Sequence, residues 1–482
     1  LLLIADGLAR LAQGEVLSDE WSRRVYSVDA SHYEMLPAAV VRLRDAGDVQ
    51  EACRYAFSKK VPVTGRGAGT GLLGQSLSEG IVLDFARHMD RVLEVGEDYV
   101  RVEPGIVKGV LDKELKKKNK FLPPDPASSN YCTIGGMIAD NSSGVHCLGY
   151  GNTIDFVEEL DLVYADGAAG HASRDRFDGR MAQLKGLLGP HAGLIQNGYP
   201  KVSKNSCGYR LDAVVNGFQP QKVIAASEGT LGLVTSAKLR IMDLPQYRFM
   251  LVLGFDGLLA AARAVPAILR SSPVALEMLD GTVISKGEKG CLLYAEFAGD
   301  SLARVERQAA QCRQEMAGRA EVMEYASDEA SLARIWAARK GALGSIMKMT
   351  VGSRKPIGLI EDTVVPPTML AAHAENLLAA YRDNRLDYVM YGHVGDGNMH
   401  TRPLVDTSSK AESKMIGALA SRVFSQVIAS GGTITGEHGD GLARVGYIEQ
   451  MYGSRMTALF RDVKRLFDPE CLLNPGKKVP IV

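Results

Sequence analysis

The sequence lacks an excess of charge of either sign: its 482 residues carry 56 Lys and Arg against 56 Asp and Glu. A dedicated nucleic-acid binder carries a basic excess, so that class is excluded. It also lacks paired cysteines. The seven, at 53, 132, 147, 207, 291, 312 and 471, form no CxxC pair and show no even spacing. This excludes a disulfide scaffold, a Cys-rich zinc site and an internal iron–sulfur cluster, and makes a reducing, cytoplasmic compartment the expectation. Long apolar runs are missing too, since nothing approaches the roughly 18 to 20 residues that span a bilayer. The opening LLLIADGLARLAQG reads as an amphipathic helix, which keeps peripheral attachment to a membrane as the alternative location. The start at Leu1 rather than Met leaves a targeting segment undecided.

What the sequence has is glycine: 51 of 482 residues, about 11%, against a usual level of roughly 7%. Clustered glycines mark turns or backbone approaching a ligand. Residues 38–64 read as strand, helix and strand, with Asp48 as N-cap and Glu51 completing a capping box. The segment VKGVLDKELKKKNK reads as a helix whose lysines form a solvated face. Residues 120–155 are rich in Pro, Gly, Ser and Asn but keep Ile134, Met137 and Ile138. They read as an ordered, ligand-lining loop rather than a disordered linker. The style changes near residue 243. From Tyr247 the order strand, helix, strand, strand, helix predicts an antiparallel sheet backed by helices. From about residue 431 the Gly-rich style returns.

Gly69, Gly71 and Gly74 match G-x-G-x-x-G, but a Rossmann loop must feed a helix whose N-terminus holds the pyrophosphate. Here the turn QSLSEG and the strand GIVLDF follow, leaving no room for a helix. The expectation is strand–loop–strand, with backbone N–H groups freed by Gly67, Gly69 and Gly71 forming an anion-binding nest. Arg66, Gln75 and Ser76 supply further donors. Two similar stretches follow, PPDPASSNYCTIGGMIADNSSG and SEGTLGLVT. Three such segments spread over roughly 170 residues predict a large nucleotide cofactor threaded between them.

These segments, together with GHVGDGNMH, GEHGDG and FDPECLLNPGK, occur in order over about residues 25 to 479. They resemble the FAD-linked dehydrogenases of D-2-hydroxy acids, in the vanillyl-alcohol-oxidase-like superfamily. The resemblance implies an α+β chain. A two-part FAD-binding domain of the vanillyl-alcohol-oxidase/PCMH type would cover 1–243. An α+β cap domain with an antiparallel sheet would cover 244–430, and a C-terminal segment, 431–482, would return to the FAD domain. In the pyrophosphate loop it implies flavin contacts from Arg66, Gly67, Ala68, Gly69, Thr70, Gly71, Gln75 and Ser76. In the second segment it implies Pro124, Gly135, Gly136, Asn141, Ser143 and Gly144. In the third it implies Glu228, Gly229, Gly232 and Val234, with Asn474 near the end. Some relatives bind the flavin covalently through a loop His. None lies between Thr64 and Ser76, so non-covalent FAD is expected. His146 and Cys147, just beyond the second segment, could approach the ring, with packed residues behind it the safer reading.

Three of the nine His fall in two motifs, His393 and His400 in GHVGDGNMH and His438 in GEHGDG. Two imidazoles in one Gly-rich loop, beside an acidic Gly-rich loop, can converge. His393, His400 and Glu437 make an N,N,O set suited to Zn²⁺ or a similar divalent ion with open positions. A 2-hydroxy acid can chelate such an ion, which lowers the hydroxyl pKa. His438, beside Glu437, is then placed as general base, and the α-hydrogen leaves as hydride to the flavin. The resemblance adds Arg339, in IWAARK, as the substrate carboxylate's anchor. The chain departs from the 2-hydroxyglutarate enzymes at Ile360-Glu361-Asp362, where they carry a lysine before Tyr-Asp. It departs again at Arg402, where they carry an asparagine. Arg354 and Lys355 could substitute electrostatically, with surface solvation the safer reading, so the second charge of the substrate stays open. The expected partners are a small 2-hydroxy acid and an electron acceptor outside the chain: an iron–sulfur protein, a quinone-linked partner or an electron-transfer flavoprotein. A homodimer and a place as flavin subunit in a larger iron–sulfur complex are kept as alternatives, as is an oxidase of the same superfamily.

Overall fold

The computed structural model describes residues 2–284, 290–346 and 350–480. The apolar runs Ala39–Arg42, Ile81–Asp84 and Val63–Arg66 pair in parallel, and Glu15–Leu17 joins one edge antiparallel. Ile81–Asp84 is buried at every position, as a strand covered on both faces must be. The helix Ala46–Lys59 connects the first and third of these segments. Its N-cap is Asp45, whose carboxylate accepts from the Asp48 amide at 3.1 Å, and not Asp48. The Asp48 carboxylate instead accepts from the backbone of Gln13 and Arg44, at 2.7 and 2.9 Å, which fastens the N-terminal segment to the sheet. No helix intervenes between Val63–Arg66 and Ile81–Asp84, so the glycine loop does join strand to strand.

A second sheet is antiparallel, in the order Val92–Val95, Tyr99–Val102, Leu233–Arg240, Val157–Val163, Ala169–Ser173. Leu233–Arg240 alternates strictly between buried and half-buried positions, the signature of one covered face. Between the two sheets the expected ligand-lining loop contains a short helix, Ile134–Asp140. It is capped by Thr133, whose hydroxyl accepts from the Gly136 amide at 3.3 Å, and closed by Asn141 at φ 55°. Ile134, Met137 and Ile138 follow helical spacing. Gly135 and Gly136 weaken that signal, because glycine is a poor helix former.

The cap sheet runs Glu321–Ala326, Tyr247–Phe255, Cys291–Gly299, Ala275–Asp280, Tyr388–His393, Asn398–Val405, Lys355–Pro356, and Thr363–Val364 also pairs with Asn398–Val405. Strand period divides its residues cleanly. Leu251, Leu253, Leu293 and Phe297 pack toward the helices Leu258–Leu269 and Leu302–Met316. Met250, Val252, Tyr294 and Tyr391 pack on the other side with Leu332, Ile335 and Trp336 of the helix Glu329–Ile346. The chain then returns: Thr433 bridges to Val364 of the cap, and Leu473 bridges in parallel to Val63 of the first sheet. Among the described residues no helix is long and apolar enough to cross a membrane.

Candidate functional site

A cavity of about 380 Å³ lies where the three Gly/Ser/Thr segments meet the inner face of the cap sheet. Its wall takes Arg66 to Gly71, Gln75 and Ser76 from the first segment, Gly135, Gly136 and Ser143 from the second, and Glu228, Gly229, Gly232 and Val234 from the third. The cap contributes Trp336, Arg339, Tyr391, His393, His400 and Arg402, and the returning chain adds Glu437 and His438. Glycine is required at 67, where a Cβ would stand 2.1 Å from the Thr133 hydroxyl, and at 69, where φ is +68°. The backbone there can approach an anion closely.

Four expected flavin contacts stand behind the wall. Pro124 is buried away from it. The Asn141 side chain accepts from the Ile154 amide at 2.9 Å, and the Gly144 carbonyl accepts from Lys204 at 3.2 Å. Asn474 donates to the carbonyls of Gln75 and Glu228 at 2.9 and 2.7 Å and accepts from Thr64, so it ties the first segment to the third. Glu228 reaches the wall, but its carboxylate is committed elsewhere. It accepts from the amides of Asp440 and Gly441, at 2.6 and 3.0 Å, and pairs with Lys478 at 3.2 Å.

The opposite side of the GEHGDG loop is held by Asp362. One of its oxygens accepts from the consecutive amides of Gly436, Glu437 and His438, at 2.9, 3.0 and 2.9 Å, and from the Thr435 hydroxyl. The other accepts from Asn398 at 3.1 Å. Two buried carboxylates therefore shape a loop whose sequence, dominated by glycine, would not hold one conformation by itself. The Gln75 amide also donates to the His438 carbonyl.

Within this frame three imidazoles converge on one oxygen. The Nε2 atoms of His393, His400 and His438 lie 2.9, 3.3 and 3.9 Å from Oε1 of Glu437. Each ring is fixed from behind by a carboxylate on Nδ1. His393 is held by Glu277 at 2.6 Å, His400 by Glu361 at 3.1 Å and His438 by Glu361 at 2.7 Å. The second oxygen of Glu437 is taken by Lys204 at 2.7 Å and Ser143 at 2.5 Å. A carboxylate behind each metal-facing imidazole is the arrangement that fixes tautomer and ring orientation in metal centres. Donor atoms of Asp362, His400, Glu437 and His438 all lie within 4.8 Å of one another. Of the expected set His393, His400 and Glu437, this group takes in His400 and Glu437, while His393 stands outside it with its Nε2 2.9 Å from Glu437; the oxygens of Asp362 already accept from loop amides, Thr435 and Asn398.

Burial would raise the Glu437 carboxyl, but Lys204 and His393 hold it well below its usual range. Burial likewise opposes ionisation of Glu361, and His438, His400 and Arg402 overcome it. Burial would lower His438, whereas Glu361, Asp362 and Glu437 push it up to about 9. Arg339, 1% exposed, pairs with Glu277 at 2.7 Å, and its Nε has no partner. Sequence reasoning missed Glu277, Asp362 and Lys204 as parts of the site and saw Glu361 only as a departure. Only the triplet Ile360-Glu361-Asp362 carried a signal. Glu277 and Lys204 sit in segments without a motif.

Behind Trp336 the two parts of the fold are joined by His146. Its ring contacts Asp125 at 2.7 Å and Glu296 at 3.3 Å, while Glu296 also accepts from Trp336 and Arg248, each at 2.7 Å. Burial alone would lower His146, but Asp125 and Glu296 raise it to about 10 from an ordinary 6.5. A raised histidine contributes stability that is fully present below its unfolded value and fades as pH climbs through its folded value. The thermal stability advantage of wild type over His146→Asn should therefore be full at about pH 6 and shrink steadily toward about pH 10. Melting curves across that range check it, and a constant difference would contradict a charged His146.

Residues 37–173 match the family model described as FAD binding domain, and residues 244–478 match that described as FAD linked oxidases, C-terminal domain. A D-2-hydroxyglutarate dehydrogenase of Pantoea ananatis is 32% identical over 96% of this chain and 50% of its own length. The chain thus spans about half of that relative. The glycolate oxidase subunit GlcD of Bacillus subtilis is 29% identical over 94% of this chain and 92% of its own. Among solved structures, a 4-ethylphenol oxidase from Gulosibacter chungangensis superposes with a TM-score of 0.71 at 15% identity, covering 99% of this chain and 97% of the other. That likeness concerns the fold alone.

Proposed function

The chain belongs to the FAD-linked D-2-hydroxy acid dehydrogenase family, and from that premise we propose that it oxidises a D-2-hydroxy acid to the 2-oxo acid. The reading rests above all on one observation: three imidazole Nε2 atoms meet Glu437 at the wall of the same cavity that the glycine nest lines. The residues fit both groups the reading needs. The first and third segments would hold FAD through backbone amides, and His393, His400 and Glu437 would hold a divalent ion, with Zn²⁺ suited to the donors. FAD, if bound there, would supply the hydride acceptor for the α-hydrogen. The ion, when bound, acts as a Lewis acid toward the substrate's oxygens.

The remaining work falls to side chains. Arg339 anchors the substrate carboxylate, its planar fork suiting two oxygens. His438 accepts the proton of the α-hydroxyl at Nε2, because its Nδ1 is committed to Glu361. Glu361 stabilises the imidazolium that results, and Lys204 with Ser143 keeps Glu437 turned toward the histidines. Electrons leave to an acceptor outside the chain, an iron–sulfur partner being the first to test. The decisive experiment is anaerobic mixing of the yellow protein with a panel of D- and L-2-hydroxy acids. Flavin bleaching by D acids only, abolished by a chelator, is the expected result. The flavin should then leave as free FAD on heating. Bleaching untouched by chelator removal of all metal would end the metal part of the reading while leaving the flavin part standing.

A further inference from the structure

The short helix of the second segment ends in a carboxyl for which the oxidation outlined above has no use. Asp140 is the last residue of Ile134–Asp140, and it lines the cavity beside the glycine nest. A Cβ built on Gly71 would stand 4.0 Å from its Oδ2. The Glu228 amide donates to the Ala139 carbonyl at 2.9 Å, which draws the third segment alongside. Among the described residues no hydrogen-bond donor, acceptor or ion-pair partner engages the Asp140 carboxyl. The buried lysine on that side is already shared, since Lys478 pairs with Asp440 at 2.8 Å and with Glu228 at 3.2 Å. Asp29 adds another negative charge, its carboxylate accepting from Ser76 at 3.1 Å. His438 also acts on Asp140, but its Nδ1 is committed to Glu361 at 2.7 Å. The surroundings of Asp140 therefore hold more carboxylates than cations free to pair with it. Burial and Glu228 push its carboxyl well above the usual range, and Lys478 and His438 only partly offset them.

We propose that Asp140 is part of the FAD-binding surface as a neutral carboxylic acid, donating its O–H to an oxygen or nitrogen acceptor of the dinucleotide. The inference rests on FAD occupying this cavity. A nest of backbone amides takes an anion, and an ionised carboxylate on the same wall would repel it. A protonated carboxyl does the opposite, because it gains a donor. A carboxylic acid kept neutral by its surroundings so that it can donate is an established device of buried sites. Asp140 stands outside the set of His393, His400 and Glu437, so its part is to hold the flavin, not to act on substrate.

The test reads the FAD dissociation constant at pH 7, from the flavin released on serial dilution of the holoenzyme, with melting curves showing that each variant is folded. Asp140→Asn keeps a neutral donor of the same shape and should bind FAD within about threefold of wild type. Asp140→Ala removes the donor and should bind FAD roughly tenfold more weakly. Asp140→Leu carries the same comparison if the Ala variant does not fold. The infrared difference between wild type and Asp140→Asn should contain the carbonyl stretch of a protonated carboxyl. If Asn and Ala both tighten FAD binding, Asp140 is an ionised group that opposes the diphosphate, and the proposal is overturned. It is equally overturned if neither changes the constant, or if the difference spectrum shows a carboxylate band instead. If the wild type binds no FAD at all, the cofactor reading itself is wrong and this inference falls with it.

Discussion

Replacing Glu437 with Gln is expected to reduce bound divalent metal from about one per flavin toward zero, with per-flavin turnover falling in step. The carboxylate is the charged donor on which the three Nε2 atoms converge, 2.9 to 3.9 Å away. Gln keeps the shape and removes the charge, so three neutral imidazoles would be left to compete with water. Glu437→Ala adds a second effect. Lys204, fully buried, loses its 2.7 Å partner, and breaking a buried pair on one side costs about 3–5 kcal/mol. The Ala variant should therefore melt lower than the Gln variant, while both retain FAD, because the nest and the third segment lie elsewhere. Metal analysis beside flavin absorbance and melting curves separates these effects. If Gln lowers stability but leaves metal content and per-flavin turnover intact, Glu437 is a structural carboxylate and the metal assignment fails.

The same residues explain what the sequence disclosed. The glycine loop was legible as strand–loop–strand, because a turn signal and the strand Ile81–Asp84 left no length for a helix. The cap was legible because its strands and helices alternate with clear periods. His393, His400 and His438 announced themselves because unusual residue types stood in glycine-rich motifs. The supporting groups did not. Lys204 and Ser143 reach Glu437 from 233 and 294 residues away, and no local pattern encodes such a separation. Glu277 lies in Ala275–Asp280, a strand buried at every position, where no alternation of exposure marks out a carboxylate. Asp362 and Glu228 act on backbone amides, whose demand for acceptors cannot be read from glycines alone. The expected contacts Asn141, Gly144 and Asn474 fell behind the wall for a related reason. A motif marks residues that must be near the ligand, without separating those that touch it from those that hold the touching loops together.

The last expectation concerns His438, which should be the residue whose loss slows flavin reduction without emptying the site. Its side chain is 21% exposed, against 3% for His400 and 9% for His393. A base must pass its proton onward, and only this imidazole has an open edge for that transfer. It is also the furthest of the three from Glu437, at 3.9 Å, and so the least suited to be a tight ligand. His438→Ala should keep FAD and metal and lower the rate of flavin reduction by roughly 10²- to 10⁴-fold. The pH profile gives an independent readout. Glu361, Asp362 and Glu437 push His438 up to about 9, while a divalent cation beside Glu437 would lower it, since like charges oppose one another. Because the neutral imidazole is the active form, the wild-type reduction rate should fall as pH drops below that pKa, and the falling limb should be absent from His438→Ala. Stopped-flow reduction across pH 6 to 10, at saturating substrate, measures both. A variant that loses its metal, or one that keeps the acid limb while merely running slower, would assign His438 to the ligand set and leave the base to be sought elsewhere on the cavity wall.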